Sequence, residues 1–323
     1  MRTPDFWYRA NNLQASLLAP LGCLYDAAGR LRRAAARPFQ ADAPVICVGN
    51  LVMGGAGKTP VVQALAGHLR QQGKKPAILL RGYGGLEKGP LQVNAARHKV
   101  ADVGDEALLH ANLAPTWIGA DRAASAKAAI AAGADILVLD DGFQNPGLHQ
   151  DLPILVIDGE TGFGNGRVFP AGPLRESVAL GLRRAKAVVL IGDDKTGVGA
   201  SLKGIPLFRA SIAPENGIDF KDRPVIAFAG IGRPQKFFSS LESAGARIVM
   251  AFPFPDHHAF TDCELEALQE QAKDMQAMLV ATAKDHVRLP EDIKAKVQVL
   301  RVGLRWEEAD APQKLLAALR FKA

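Results

Sequence analysis

The sequence predicts an α/β fold: a mostly parallel sheet flanked by helices around a phosphate-binding turn, a second smaller α/β lobe, and an amphipathic helical segment at the N-terminus. Three observations carry this. The buried-strand run Val45-Ile46-Cys47-Val48 passes through a glycine-rich turn into a helical pattern at Val61, Leu65 and Leu69. A second strand run, Ile136-Leu137-Val138-Leu139, follows an alanine-rich helical stretch at 122–132 and ends in Asp140-Asp141-Gly142, so strand, helix and strand succeed one another in parallel order. From residue 223 the alternation repeats, with strand runs at 223–229, 247–251 and 279–282 and helical patterns between them. The expected boundaries are 1–40 for the amphipathic segment, 41–204 for the P-loop nucleotide-binding core and 205–323 for the second lobe.

Composition bounds the rest. The 323 residues are 48% hydrophobic and 22% charged, which gives a globular chain with a large core and excludes a collagen-like or disordered one. Cys23, Cys47 and Cys263 are odd in number and far apart, which fits a reducing compartment rather than a disulfide framework or a zinc site. The uncharged run 10–25 is interrupted by Asn11, Asn12, Gln14, Ser16, Pro20 and Gly22 and carries no cleavage signal, so neither a spanning helix nor export is expected. A net charge of +6 is too thinly spread to name nucleic acid as a partner.

In the N-terminal segment, Phe6, Trp7, Leu13, Leu17, Leu18, Leu21, Leu24, Tyr25, Ala28 and Leu31 share a helical sector of roughly 140°, with Asn12, Asp26, Arg30 and Arg33 opposite. Pro20 should split this stretch into two short helices. The stripe suits either of two uses: packing on the protein's own core, or dipping into a bilayer interface while Arg9, Arg30, Arg32, Arg33 and Arg37 meet anionic headgroups.

The turn Val52-Met53-Gly54-Gly55-Ala56-Gly57-Lys58-Thr59 stands between strand and helix, where glycines let backbone N–H groups converge on phosphate oxygens. Lys58 reaches β- and γ-phosphates in such a turn and the Thr59 hydroxyl ligates Mg²⁺. Val52 stands where the strict pattern has glycine, and Gly54 and Gly55 are expected to supply the lost flexibility. Asp140 and Asp141 sit at a strand's carboxyl end, where such sheets collect ligands, and read as a Walker B acid pair. Arg81, after the strand run Ala77-Ile78-Leu79-Leu80, is placed at the same edge to meet an anion. Asp105 and Glu106 open a helical stretch, and their residue types fit a helix N-terminus as well as a chemical role.

In the second half, Gly230 and Gly232 make no dinucleotide fingerprint because Gln235 occupies the third glycine's place. Thr261 and Glu264 form a capping box. Asp256-His257-His258 lacks metal-ligand spacing and fits proton transfer better, although a histidine pair in a loop also suits a structural or solvated role. Lys284 and Asp285 follow the strand run 279–282 with no assigned role.

The ordered series Gly49-Asn50, Gly54-Gly55-Ala56-Gly57-Lys58-Thr59-Pro60, Arg81-Gly82-Tyr83-Gly84, Gly104-Asp105-Glu106, Asp140-Asp141-Gly142-Phe143-Gln144, Gly162-Phe163-Gly164-Asn165-Gly166, Pro170-Ala171-Gly172-Pro173-Leu174-Arg175-Glu176, Ala229-Gly230-Ile231-Gly232 and Phe254-Pro255-Asp256-His257-His258 resembles the tetraacyldisaccharide 4′-kinase (lipid A 4′-kinase) family. The resemblance implies transfer of the ATP γ-phosphate to the 4′-hydroxyl of an acylated glucosamine disaccharide 1-phosphate, giving lipid IVA. It also implies ATP and Mg²⁺, a peripheral position on the cytoplasmic leaflet of the bacterial inner membrane, and no obligate protein partner.

Carried over by residue, Lys58 and Thr59 bind phosphates and Mg²⁺, and Asp140 and Asp141 serve the metal. Asp105 takes the hydroxyl proton with His257 assisting, and Glu106, Arg122, Gln144 and Arg175 line the site. Met53, Ser177 and Ala283 depart from the family's usual residues, and the last keeps Lys284 and Asp285 off the catalytic set. Two other classes compete: a membrane-associated switch ATPase acting through a protein partner, and a soluble small-molecule kinase whose N-terminal stripe is only core.

Overall fold

The computed structural model describes residues 4–9 and 12–319. Positions 1–3, 10 and 11 of the amphipathic segment lie outside the described residues. In chain order the strands are β1 (Val45–Gly49), β2 (Pro76–Leu80), β3 (Leu91–Gln92), β4 (Thr116–Ile118), β5 (Ile136–Asp140), β6 (Leu152–Asp158), β7 (Ala187–Ile191), β8 (Leu207–Pro214), β9 (Pro224–Ala229), β10 (Arg247–Pro253), β11 (Met278–Thr282), β12 (Val297–Leu300) and β13 (Val302–Trp306).

Among the described residues, nine strands form one sheet in the order β13-β8-β7-β6-β1-β5-β2-β4-β3, antiparallel only at its two edges. Strands β1, β2, β5, β6 and β7 are buried at every position, as parallel strands covered on both faces must be. Ile46, Ile78, Val138 and Ile154 pack under Val61, Leu65 and Leu69 of the helix Lys58–Gln71. On the opposite face, Cys47, Leu139 and Leu155 meet Phe143 and Ala126 and Ala129 of the helix Arg122–Ala131. β1 pairs with β5 so that Val48 stands beside Asp140, which puts the glycine turn and the acid pair at one edge.

A separate parallel sheet, β10-β9-β11-β12, carries the helix Pro234–Ser243 on one face and Asp262–Asp274 on the other. The change of sheet falls between Pro214 and Pro224, past the boundary read at 205, because β8 pairs with β7 in the large sheet. The chain then returns, and β13 pairs with β8. The two bodies touch through Arg233 and Lys236, which hold the Asp158 carboxylate at 2.6 and 2.8 Å.

The N-terminal segment is a short turn at Asp5–Tyr8 and one continuous helix, Leu13–Ala35, rather than two helices divided at Pro20. The helix runs through Pro20 because its packed side is tied down on both sides of it. Arg167 donates to the Ala15 carbonyl at 3.3 Å, and Gly22 lies so close to the Val168 carbonyl that a Cβ there would stand 2.7 Å away. The buried positions are Ala15, Gly22 and Asp26, whereas Leu13, Leu17, Leu21, Leu24 and Leu31 are exposed. The polar side therefore faces the protein: Asp26 accepts the Ser177 N–H at 3.1 Å and Arg33 pairs with buried Glu176 at 3.2 Å. Trp7 leaves the stripe and is buried, donating to the Pro170 carbonyl at 3.1 Å.

Candidate active site

The phosphate turn is built from two unlike halves. Val52 forms a bridge with Leu174, and the Met53 N–H donates to the Pro173 carbonyl at 2.7 Å, so the first half is pinned like a short strand and has no use for glycine. The second half needs it: Gly54 and Gly57 have φ of 117° and 83°, the left-handed region where a Cβ is strained. Gly55 is exposed and Ala56 is buried beneath. Lys58 and Thr59 then open the helix, which starts at Gly57 without a side-chain cap and so presents its first N–H groups outward.

Lys58 Nζ lies 3.3 Å from Asn50 Oδ1 and 3.4 Å from Asp141 Oδ1. Asp141 also accepts two hydrogen bonds from Arg175, at 2.8 and 3.0 Å. Burial on its own would raise this carboxyl, but Lys58 and Arg175 outweigh it and hold it below the ordinary range. Gln144 closes the base of the group, donating to the Asn50 carbonyl at 2.9 Å and to Glu176 at 3.1 Å. Through Glu176 this end of the site is tied to Arg33 of the N-terminal helix.

Asp140 separates from its neighbour. It is buried, and its Oδ2 lies 2.8 Å from Nε2 of His110, a fully buried residue of the helix Asp105–Ala111. Arg122 is also buried, donates to the Gly119 carbonyl, and leaves its Nε without a partner among the described residues. Burial, and then the charge of exposed Arg81, bring its guanidinium down to about 10. Arg81 therefore stands near enough for its charge to be felt at Arg122.

Asp105 is brought to the second lobe. His257 Nδ1 stands 3.0 Å from Asp105 Oδ2, and Arg288 clamps the same oxygen through Nε at 3.0 Å and through Nη2. Burial favours the neutral acid, but the hydrogen bonds from His257 and Arg288 prevail and hold the carboxyl well below its usual range. The same bond from Asp105 raises the His257 imidazole above its ordinary value. His258, by contrast, turns to Glu264 at 3.0 Å and stacks on Phe254. Glu106 meets Lys284 at 2.5 Å, so a lysine left without a role by the sequence stands at the site.

Arg288 was not singled out from the sequence at all. It lies beyond the carboxyl end of β11 beside Lys284 and buried Asp285, and it accounts for the third side of Asp105. Applying the carboxyl-end rule to the small sheet as well as the large one points to all three.

A parallel sheet with a glycine turn before a lysine and threonine, an acid pair on the adjoining strand and a carboxylate–imidazole pair opposite defines a P-loop phosphotransferase. Residues 14–320 match the family model described as tetraacyldisaccharide-1-P 4′-kinase, and the chain belongs to that family. It is 52% identical to a tetraacyldisaccharide 4′-kinase of Rhodospirillum centenum, covering 99% of this chain and 97% of the relative. It is also 52% identical to one from Paramagnetospirillum magneticum, over 98% and 97%. Its fold is similar to a crystal structure of LpxK from Aquifex aeolicus in complex with ATP, with a TM-score of 0.75 and 29% identity over 94% of this chain and 99% of that one. The protein is an ATP-dependent phosphotransferase with an alcohol group as acceptor.

Proposed function

We propose that the chain transfers the ATP γ-phosphate to the 4′-hydroxyl of tetraacyldisaccharide 1-phosphate, giving lipid IVA, with Asp105 at the acceptor and Lys58 at the phosphates. The observation that carries this assignment is the placement of Asp105 against His257 and Arg288 of the second lobe, while its helix reaches Asp140 at the phosphate end. Phosphoryl transfer asks mainly for positioning and charge neutralisation, so a carboxylate that stays ionised suffices to orient the hydroxyl and receive its proton late.

His257, whose imidazole the hydrogen bond to Asp105 raises above its ordinary value, steadies the pair as the proton arrives. Arg175 and Lys58 neutralise phosphate charge, and Arg81 and Arg122 offer a second anion contact. Thr59, Asp140 and Asp141 present hard oxygen donors of the kind Mg²⁺ takes, few enough to leave room for water and nucleotide oxygens. The chemistry Mg²⁺ supplies when bound is charge neutralisation on the β- and γ-phosphates.

The acceptor's acyl chains belong in a bilayer, where each buried methylene contributes about 0.8 kcal/mol. The outward leucines of the helix Leu13–Ala35, with exposed Arg9, Arg32 and Arg37 alongside, support a peripheral position on the cytoplasmic leaflet of the inner membrane. Among the described residues no helix is long and apolar enough to cross a membrane. The assay is labelled ATP, Mg²⁺ and tetraacyldisaccharide 1-phosphate in mixed micelles, with Lys58→Ala and Asp105→Ala as controls. A 4′-phosphorylated lipid, lost in both variants, is expected; ATP hydrolysis without lipid product would overturn the assignment.

A further inference from the structure

We propose that His110 is a positioning residue for phosphoryl transfer, holding the Asp140 carboxylate and the Asp105 helix in one fixed relation. His110 is fully inaccessible, its Nε2 is 2.8 Å from Asp140 Oδ2, and its Nδ1 has no partner among the described residues. The Nε2–H tautomer is the one this contact requires, since the carboxylate only accepts. Burying an imidazole and a carboxylate together is costly where an apolar side chain would serve the core, and the other buried positions of this helix past Asp105 are Ala107 and Leu108.

The placement gives the pair its use. Asp105 and His110 are five residues apart on one helix, about 7.5 Å along its axis at 1.5 Å per residue. Asp105 faces the second lobe and His110 faces the end of β5, so a single rigid element spans acceptor end and phosphate end. With one oxygen held by His110, the Asp140 side chain cannot rotate without breaking that bond. The spacing between the proton-accepting carboxylate and the phosphates is thereby set by a hydrogen bond that touches neither substrate. Partners of metal-side ligands act in this way, and losing one typically costs about 10–100-fold in metal affinity or activity.

The inference rests on Asp140 serving the Mg²⁺ side of the site, so Asp140→Asn accompanies the His110 variants. Full-length His110→Leu, which deletes the donor, and His110→Gln, whose amide reaches to a similar depth, are compared for melting temperature, for Mg²⁺-dependent binding of a fluorescent ATP analogue, and for kcat and KM. In His110→Leu the Mg²⁺ needed for half-maximal nucleotide binding rises about 10–100-fold and kcat falls in proportion, while Mg²⁺-free binding and the KM for ATP hold. His110→Gln recovers most of both.

A folded His110→Leu with wild-type Mg²⁺ dependence and kcat, or a His110→Gln as impaired as it, overturns the positioning role. Should His110→Leu fail to fold, His110→Asn, whose shorter amide cannot reach Asp140, replaces it, and Asn and Gln variants alike in Mg²⁺ dependence overturn the role equally. An Asp140→Asn variant with unchanged Mg²⁺ dependence removes the underlying reading of Asp140, which sets that failure apart from silence in the His110 variants alone.

Discussion

Asp105 and His257 lie 152 positions apart in the chain and meet at 3.0 Å, one from the helix beside the large sheet and one from a loop of the small one. The contact joins the two bodies at the candidate site, and the proposed proton acceptor takes part in it. Asp105→Asn should lower kcat by about 10²–10⁴-fold with nucleotide affinity retained, and His257→Gln should cost less. Steady-state kinetics in mixed micelles decide it, and wild-type kcat in Asp105→Asn would remove the carboxylate from the mechanism.

The same pair sets a pH dependence. Asp105 is held below its ordinary range, so it stays ionised at working pH and contributes no acid limb there. His257 is raised above 6.5, so the charge pair is fully present below about pH 6.5 and is lost as pH climbs through the raised value. The alkaline limb of kcat/KM should therefore lie above 6.5 and vanish in His257→Gln. In melting curves against pH, the stability difference between wild type and His257→Gln should shrink over that same alkaline range. A limb unmoved by His257→Gln would assign it to another group.

Two neighbouring glycines of the phosphate turn should behave oppositely. Gly57→Ala forces a side chain into φ 83° with its Cβ 2.6 Å from Ile191 Cδ1, at a cost of about 1–3 kcal/mol and a loss of nucleotide affinity. Gly55→Ala meets nothing within 4 Å and should be neutral. Melting temperatures and ATP titrations of both variants make the comparison, and equal behaviour would contradict the geometry.

The outward leucines separate membrane contact from folding. Leu17→Glu combined with Leu24→Glu should leave the melting temperature unchanged, since both side chains are exposed, yet abolish co-sedimentation with anionic phospholipid vesicles. Asp26→Ala should do the reverse, removing the partner of the Ser177 N–H and lowering stability by about 1–3 kcal/mol. Vesicle binding that survives the double substitution would place the membrane contact elsewhere.

The sequence made the nucleotide half legible because its information is local. Strand, glycines, Lys58 and Thr59 are consecutive, and the acid pair lies at the end of an apolar run. The stretch between Asp151 and Pro214 was harder: β6, β7 and β8 went unread as strands, and with them the true place where the chain changes sheet.

Periodicity showed that residues 13–35 have an apolar and a polar side, but not which side meets the protein. That was decided by Asp26 and Arg33 finding partners in the loop 175–177. Arg288 and His110 were invisible for a related reason. Each is one polar residue, Arg288 in a turn past a short helix and His110 within one, and its meaning comes from a residue far away in the chain.

Pro214 and Val302 are register partners in the β8–β13 pair, so the chain leaves for the small lobe and comes back at the same spot. The lobe is an inserted module on a two-strand stalk. Joining 214 to 302 by a tight turn would excise it and leave the nine-stranded body whole. Ending the chain anywhere before 302 would instead strip β8 of its neighbour and bare a row of unpaired amides, an invitation to aggregate. Excision and truncation, though they remove overlapping stretches, should thus give one soluble nucleotide-binding protein and one that precipitates.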